Sequence, residues 1–270
     1  MSRARIASGT TPPGTAGERQ SARWVQQMFS RIAPRYDFLN HLLSFGIDRK
    51  WRKVLMNSLQ PVLDSPDAAV LDLCCGTGDV LLEFQAGARA HIMGADFCHP
   101  MLVAAREKAS HAGLRPALFE ADALELPLAA DSLDAIAISF GFRNLANYRE
   151  GLIEMQRVLR PGGTLAILEF SHPPGMMTKA SYGFYSRVIL PLIGTAISGS
   201  SQAYTYLPAS IRKFPPARDL EALIQAAGFV RTEFHLLSGG IAALHLGRKS
   251  AAGGAGQAAI DFIAQAEVPH

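Results

Sequence analysis

The residues of this chain that could bind and transform a small molecule gather in Val70-Leu71-Asp72-Leu73-Cys74-Cys75-Gly76-Thr77-Gly78-Asp79 and, twenty residues after Gly76, at Asp96. An apolar run carrying an acid, a Gly-x-Gly turn, and then Val80-Leu81-Leu82 opening a helical pattern predict a strand, a tight loop and a helix. Gly76 and Gly78 lack a Cβ, so the backbone can turn sharply and let a ligand approach, while the free N–H groups at the helix start face it. A dinucleotide fingerprint needs a third glycine where this chain has Leu81, and a P-loop needs Gly-Lys-Ser/Thr, which is absent. Asp96 closes a second apolar run, Ile92-Met93-Gly94-Ala95, where an acid accepts hydrogen bonds from ribose hydroxyls. A ribose without a pyrophosphate points to S-adenosylmethionine. The plainer alternative is an ordinary βαβ turn with a surface aspartate.

The elements that must position these groups alternate strand and helix. Pro100 fits the first turn of a helix through Met101 to Ala109, closed by Gly113. Ala117 to Ala121 predicts a third strand that delivers Asp122 and Ala123, and Ala135 to Ser139 a fourth, followed by Phe140-Gly141-Phe142-Arg143-Asn144. A helix from Tyr148 to Leu159 stops before a Pro161-Gly162-Gly163 turn, and Thr164 to Phe170 reads as a fifth strand, apolar on both faces. Consecutive β-to-α crossings imply an α/β fold with a doubly wound, mostly parallel sheet that binds ligands outside the strand carboxyl ends. Asp72 to Asp79, Asp96, Asp122 and Ser139 all fall at such ends. Further on, a helical insertion near Lys179 to Ile211 precedes a helix from Asp219 to Ala227. Strands from Val230 to Leu237 and Ile241 to Gly247, joined by Ser238-Gly239-Gly240, predict an antiparallel final hairpin.

Length and composition bound the rest. A chain of 270 residues, 49% of them hydrophobic, can bury one full core with extensions. The net charge of +3 is carried by the first 23 residues, where Arg3, Arg5, Arg19 and Arg23 face only Glu18, so the body is neutral and gives no basic surface for nucleic acid. Cys74, Cys75 and Cys98 have no metal-ligand spacing and fit buried thiols in a reducing compartment. The start lacks the apolar core of a secretory signal, though it is arginine-rich and acid-poor like a transit peptide. The longest late apolar run, Val188 to Ile197, is broken by Pro191 and Gly194 and is too short to span a bilayer. Residues 1–20 and 250–270 read as a disordered tail and a flexible tail, leaving 21–249 as the folded domain. Within it, 21–60 reads as amphipathic helices, either a lid or an ordinary helix pair, and 175–212 as a helical insertion.

Several stretches together resemble the UbiE/MenG family of quinone-biosynthesis C-methyltransferases. They are Phe29-x-x-Ile32-Ala33-x-Arg35-Tyr36-Asp37-x-Leu39-Asn40, the Gly76-Thr77-Gly78-Asp79 turn, Ile138-Ser139-Phe140-Gly141-x-Arg143-Asn144, Arg157-Val158-Leu159-x-Pro161-Gly162-Gly163, Glu169-Phe170-Ser171 and Ala243-Leu244-His245. The resemblance implies a class I S-adenosylmethionine-dependent methyltransferase fold with seven strands, an N-terminal helical lid over 21–60, and a substrate-side insertion. It carries cofactor contacts onto Thr77, Asp96, Asp122 with Ala123, and Ser139, beside the Asp72, Gly76, Gly78 and Asp79 of the cradle. Cys74 stands where the general methyltransferase turn has its first glycine.

The implied acceptor is a ring carbon of a prenylated hydroquinone, most directly demethylmenaquinol going to menaquinol. A ubiquinone or phylloquinone precursor stays open as the acceptor. Arg143 and Asn144 are candidates to polarise the hydroxyl beside that carbon, Arg143 as a permanent cation that stabilises the phenolate and not as a base. Tyr36, Asp37 and Asp79 are further candidates for hydrogen bonding or proton acceptance, whereas His172 and His245 read as structural. The aromatic insertion from Tyr182 to Tyr206 suits either a prenyl channel touching a membrane or a plain lid core. The remaining expectations are no metal, no nucleic-acid partner, a homodimer, and a cytoplasmic location at the inner face of the membrane. Two rivals stay open. A nucleic-acid amino-methyltransferase would carry Asn/Asp-Pro-Pro-aromatic where this chain has Ser139-Phe140-Gly141-Phe142, and an inactive cofactor-binding scaffold would have no need of Arg143 and Asn144.

Overall fold

The computed structural model describes residues 8–33, 46–173 and 201–251. Five parallel strands, β1 (Ala69–Leu73), β2 (His91–Asp96), β3 (Ala117–Glu120), β4 (Leu133–Ser139) and β5 (Leu159–Phe170), are joined by β6 (Phe229–Leu237) and β7 (Ala242–Lys249). The sheet order is β3-β2-β1-β4-β5-β7-β6, with β7 antiparallel to both its neighbours. This is the doubly wound seven-stranded α/β sheet with an antiparallel final hairpin that the sequence implies. Its strand order reverses at β1, between β2 and β4, which opens the ligand crevice at their carboxyl ends.

Alternation along the strands divides the core. Leu71, Leu73, Ile136, Ile138, Leu165 and Ile167 pack on one face with α5 (Tyr148–Val158) and α7 (Ala217–Ala226). Val70, Ala135, Ala137, Ala166 and Leu168 face the other way, against α2 (Asp48–Leu63) and α3 (Asp79–Gly87). In α2 the buried Trp51, Leu55, Leu59 and Leu63 recur every four residues and so form the stripe that meets the sheet. The remaining helices are α1 (Glu18–Ile32), α4 (His99–His111) and α6 (Ser201–Lys213).

Two boundaries differ from expectation. β5 begins at Leu159 because Pro161-Gly162-Gly163 is absorbed as a bulge, with Leu133 opposite Leu159 but Ala135 opposite Thr164, and Gly162 at φ +81°. Residues 8–20, expected within a disordered tail, are instead docked. Thr10 N–H donates to Leu145 O at 2.8 Å, Tyr148 N–H donates to Ser8 O at 2.8 Å, and α1 already starts at Glu18. Gly9 is needed there, since a Cβ would lie 1.8 Å from Ala146 O. Tyr36, Asp37 and most of the aromatic insertion lie outside the described residues.

Candidate active site

The loop between β1 and α3 builds the floor of the site. Cys74, Gly76 and Gly78 all have positive φ, at +58°, +54° and +85°, so the chain coils tightly before α3. Gly76 N–H donates to Asp96 Oδ2 and Cys98 N–H donates to Asp96 Oδ1, both at 2.9 Å, which aims this carboxyl from the end of β2 across the loop. Burial raises its pKa to about 6 against these hydrogen bonds.

The crevice has two lobes. Asp96, Asp122, Ala123, Ser139, Asn144 and the loop residues Cys74 and Gly76 line the first, which α1 closes with Ala22 and Phe29. Gln26 Nε2 of α1 donates to Phe97 O at 2.6 Å, which ties this helix to the loop after β2. Asp72, Gly76, Thr77, Asp79, Ser139 and Arg52 line the second lobe. There Asp72 is 1% exposed, and among the described residues its Oδ2 has no hydrogen-bond partner. Burial, joined by the charges of Asp96, Asp79 and Glu83, pushes its pKa well up. The expected residues Asp72, Gly76, Thr77, Asp79, Asp96, Asp122, Ala123, Ser139 and Asn144 each line one or both lobes, which share Cys74, Gly76, Ser139 and Phe140. Gly78 shapes the turn beneath them.

Arg143 lies in a 3₁₀ turn, Phe142–Asn144, and is 5% exposed. Nη1 donates to Glu169 Oε1 at 2.9 Å and to Phe140 O, the backbone N–H donates to Glu169 Oε2 at 3.2 Å, and the cation lies 5.4 Å from the Phe170 ring centroid. Burial raises the pKa of Glu169 and the Arg143 charge opposes the rise. Asn144, in contrast, faces the first lobe. Its Oδ1 accepts from the Tyr206 hydroxyl at 2.9 Å, and that hydroxyl is 2.8 Å from Thr10 Oγ1. Burial holds the Tyr206 pKa up at about 12, so it remains a donor.

Sequence reasoning passed over Arg52, Lys108, Glu169 and Thr10 as site residues and read Tyr206 only as part of the aromatic insertion. Glu169 carried a signal, a lone acid inside a buried apolar strand, which requires a buried partner. Lys108 Nζ reaches Asp79 Oδ1 at 2.7 Å from α4, and nothing local announces that contact. His245 Nε2 is 2.9 Å from Ala217 O with its pKa lowered by burial to about 4, and His172 Nε2 is 2.9 Å from Phe214 O. All three cysteines are free thiols. Among the described residues no cluster of three His, Cys, Asp or Glu side chains could hold a metal ion. Nor is any helix there long and apolar enough to cross a membrane.

Comparison with known proteins adds to this geometry. The model of the ubiE/COQ5 methyltransferase family matches residues 16–249. Demethylmenaquinone methyltransferase of Thermus thermophilus is 47% identical over 221 residues, covering 82% of this chain and 99% of that protein. The ubiquinone/menaquinone biosynthesis C-methyltransferase UbiE of Geotalea daltonii is 43% identical over 230 residues, covering 83% and 96%. Among solved structures, a SAM-dependent methyltransferase of Thermotoga maritima aligns with a TM-score of 0.58 at 16% identity, covering 83% of this chain and 99% of that one, a likeness of fold.

Proposed function

Because the chain belongs to the ubiE/COQ5 methyltransferase family, we propose that it methylates a ring carbon of a prenylated hydroquinone, converting demethylmenaquinol to menaquinol. It is a methyltransferase, and its methyl donor is S-adenosylmethionine. The observation that carries the choice of acceptor is the 47% identity to a demethylmenaquinone methyltransferase across nearly all of that protein's length. A benzoquinol precursor of ubiquinone is the second reading, favoured by the 43% identity to a protein named for both pathways.

The residues of the crevice fit this cofactor. The buried Asp72 Oδ2, without a partner among the described residues, suits an ammonium group, and Asp96 suits ribose hydroxyls. In this reading Asp122 and Ala123 flank the adenine, while Gly76, Thr77, Gly78, Asp79 and Ser139 hold the methionine end. Once bound, the cofactor supplies a methyl sulfonium whose thioether is a good leaving group.

The protein's task is positional: the acceptor carbon has to stand in line with the methyl, at about 3 to 3.5 Å, with water excluded. A ring carbon gains nucleophilicity as the hydroxyl beside it loses its proton. Asn144, oriented by Tyr206, offers its amide N–H to that developing phenolate. Arg143 is neutralised by Glu169, so the direct contact expected of it gives way to a positioning role, holding Phe140 O and the turn that carries Asn144. Asp37 is the candidate to accept the hydroxyl proton and Tyr36 to hydrogen-bond the acceptor, and the proton of the methylated ring carbon leaves to solvent as the ring regains aromaticity. The prenyl tail calls for a peripheral contact with the inner face of the membrane, made by a cytoplasmic homodimer, and these too are proposals.

The test is anaerobic incubation with methyl-labelled S-adenosylmethionine and reduced demethylmenaquinone, a reduced ubiquinone precursor and bulk RNA in parallel. Label in menaquinol is the expected result. Label only in the ubiquinone precursor selects the second reading, and label in RNA or in no acceptor overturns both.

A further inference from the structure

The second lobe holds a cation to which the family resemblance assigns no role. Arg52 sits one turn after Asp48 in α2, and its side chain is 9% exposed. It lines the same lobe as Asp72, Thr77 and Ser139. Two carboxylates fix its guanidinium: Nη1 donates to Asp48 Oδ2 at 2.6 Å and Nε to Glu83 Oε1 at 3.0 Å. The third contact, Nη1 to Asp79 Oδ2, is long at 3.4 Å.

Asp79 does not depend on that contact, because Lys108 Nζ holds its other oxygen at 2.7 Å. Asp79 therefore keeps a partner when its long contact to Arg52 is exchanged. The same lobe is lined by Asp72, whose buried Oδ2 has no hydrogen-bond partner among the described residues. One lobe thus offers a buried carboxyl with one oxygen unpartnered among the described residues and an oriented cation with one long contact, the complement of a zwitterion.

We propose that Arg52 receives the α-carboxylate at the methionine end of the cofactor, giving up its long contact to Asp79, while Asp72 takes the ammonium. The proposal rests on the cofactor reading above and adds a residue that sets how tightly, and in what orientation, the amino-acid end is held. The planar fork of arginine, pinned by Asp48 and Glu83, presents donors to a carboxylate at little further cost in side-chain entropy.

The discriminating experiment is isothermal titration calorimetry on the full-length protein with S-adenosylhomocysteine, its decarboxylated analogue, which keeps the ammonium, and 5′-methylthioadenosine. The wild type is expected to bind S-adenosylhomocysteine most tightly. Arg52→Met is expected to weaken S-adenosylhomocysteine about 10- to 100-fold, the loss of a charged hydrogen bond, and to leave the decarboxylated analogue within about threefold. Arg52→Lys, which keeps the charge but not the fork, should show a smaller loss of the same selective kind.

Equal weakening of all three ligands would mean that Arg52 only ties α2 to α3, and unchanged binding of S-adenosylhomocysteine would also overturn the assignment. If Arg52→Met does not fold, a crystal structure of the wild type with S-adenosylhomocysteine decides. An Arg52 nitrogen within hydrogen-bond distance of the carboxylate supports the proposal, and its absence there sinks it. Failure of the wild type to bind any of the three ligands would instead overturn the cofactor reading itself.

Discussion

Arg143 and Glu169 form a 2.9 Å ion pair in which the two side chains are 6% and 1% exposed. The pair joins the 3₁₀ turn after β4 to the end of β5, and Asn144 projects into the crevice from the residue following the arginine. A charge pair this deep is weak as net stabilisation, because desolvation offsets most of its Coulombic gain. Its value here is geometric, since five donors on one planar group can hold a carboxylate and a carbonyl in a fixed relation.

Removing one partner should therefore cost far more than removing both. Glu169→Gln and Arg143→Ala each leave a buried charge unpaired and should lose about 3 to 5 kcal/mol. That corresponds to a melting temperature lower by about 6 to 20 °C for a domain of this size. Arg143→Met combined with Glu169→Leu should recover most of the stability without recovering methyl transfer, because Asn144 loses its anchor. Calorimetry and a turnover assay on the three variants check this, and a double variant that is both stable and active would show that the pair has no positioning role.

Asp96 gives the site a pH dependence whose sign follows from hydrogen-bond direction. Ribose hydroxyls donate to its carboxylate, so the ionised form binds and the protonated form binds poorly. With the pKa raised to about 6, affinity falls as pH drops through that value. Binding of S-adenosylhomocysteine should be about tenfold weaker at pH 5 than at pH 7 and nearly flat from pH 7 to 8. Asp96→Asn should bind weakly throughout and lose the inflection. A wild-type affinity unchanged between pH 5 and 7 would remove Asp96 from ribose binding.

Tyr206 bridges Thr10, from the N-terminal arm, to Asn144. Tyr206→Phe leaves the Asn144 amide with its long 3.5 Å contact from Nδ2 to Phe140 O, so kcat/KM for the quinol should fall about 10- to 100-fold through misplacement of a positioning group. Affinity for S-adenosylhomocysteine should stay within about twofold, since none of the atoms lost faces the cofactor-binding acids. Parallel kinetics and calorimetry separate the two, and equal loss in both would point to general loosening of this packing.

How much of this was legible in the sequence depends on the range of the interaction concerned. The strand–loop–helix at Asp72 to Asp79, the acid at Asp96 and the apolar runs of the central strands are set by neighbouring residues, and all could be read from the chain. The ion pair of Arg143 could not, because its partner is Glu169, 26 residues away in β5. Arg52 stayed hidden for the same reason, since its helix shows only the local Asp48 pair and not the approach of Glu83 and Asp79. Residues 8–16 were misjudged because their small, polar, proline-containing composition mimics disorder, whereas a few backbone bonds to Leu145 and Tyr148 suffice to dock them.

Cys74 and Gly141 provide the sharpest test of how the crevice is built. Cys74 holds φ at +58°, where a side chain is strained, and a Cβ added to Gly141 would lie 2.4 Å from the Cys74 Cβ. The carboxyl ends of β1 and β4 thus approach so closely that one of the two positions has to do without a side chain. Gly141→Ala should cost about 1 to 3 kcal/mol by overpacking and weaken cofactor binding, because the displaced Cys74 and Gly141 both line the first lobe. Cys74→Gly relieves the left-handed strain, worth about 1 kcal/mol, and opens the space that the added methyl group requires. The double variant should therefore melt close to the wild type and bind S-adenosylhomocysteine again. Melting curves and titrations on the two single variants and the double variant measure the coupling, and simple additivity of the two changes would show that these loops do not share the space the distances describe.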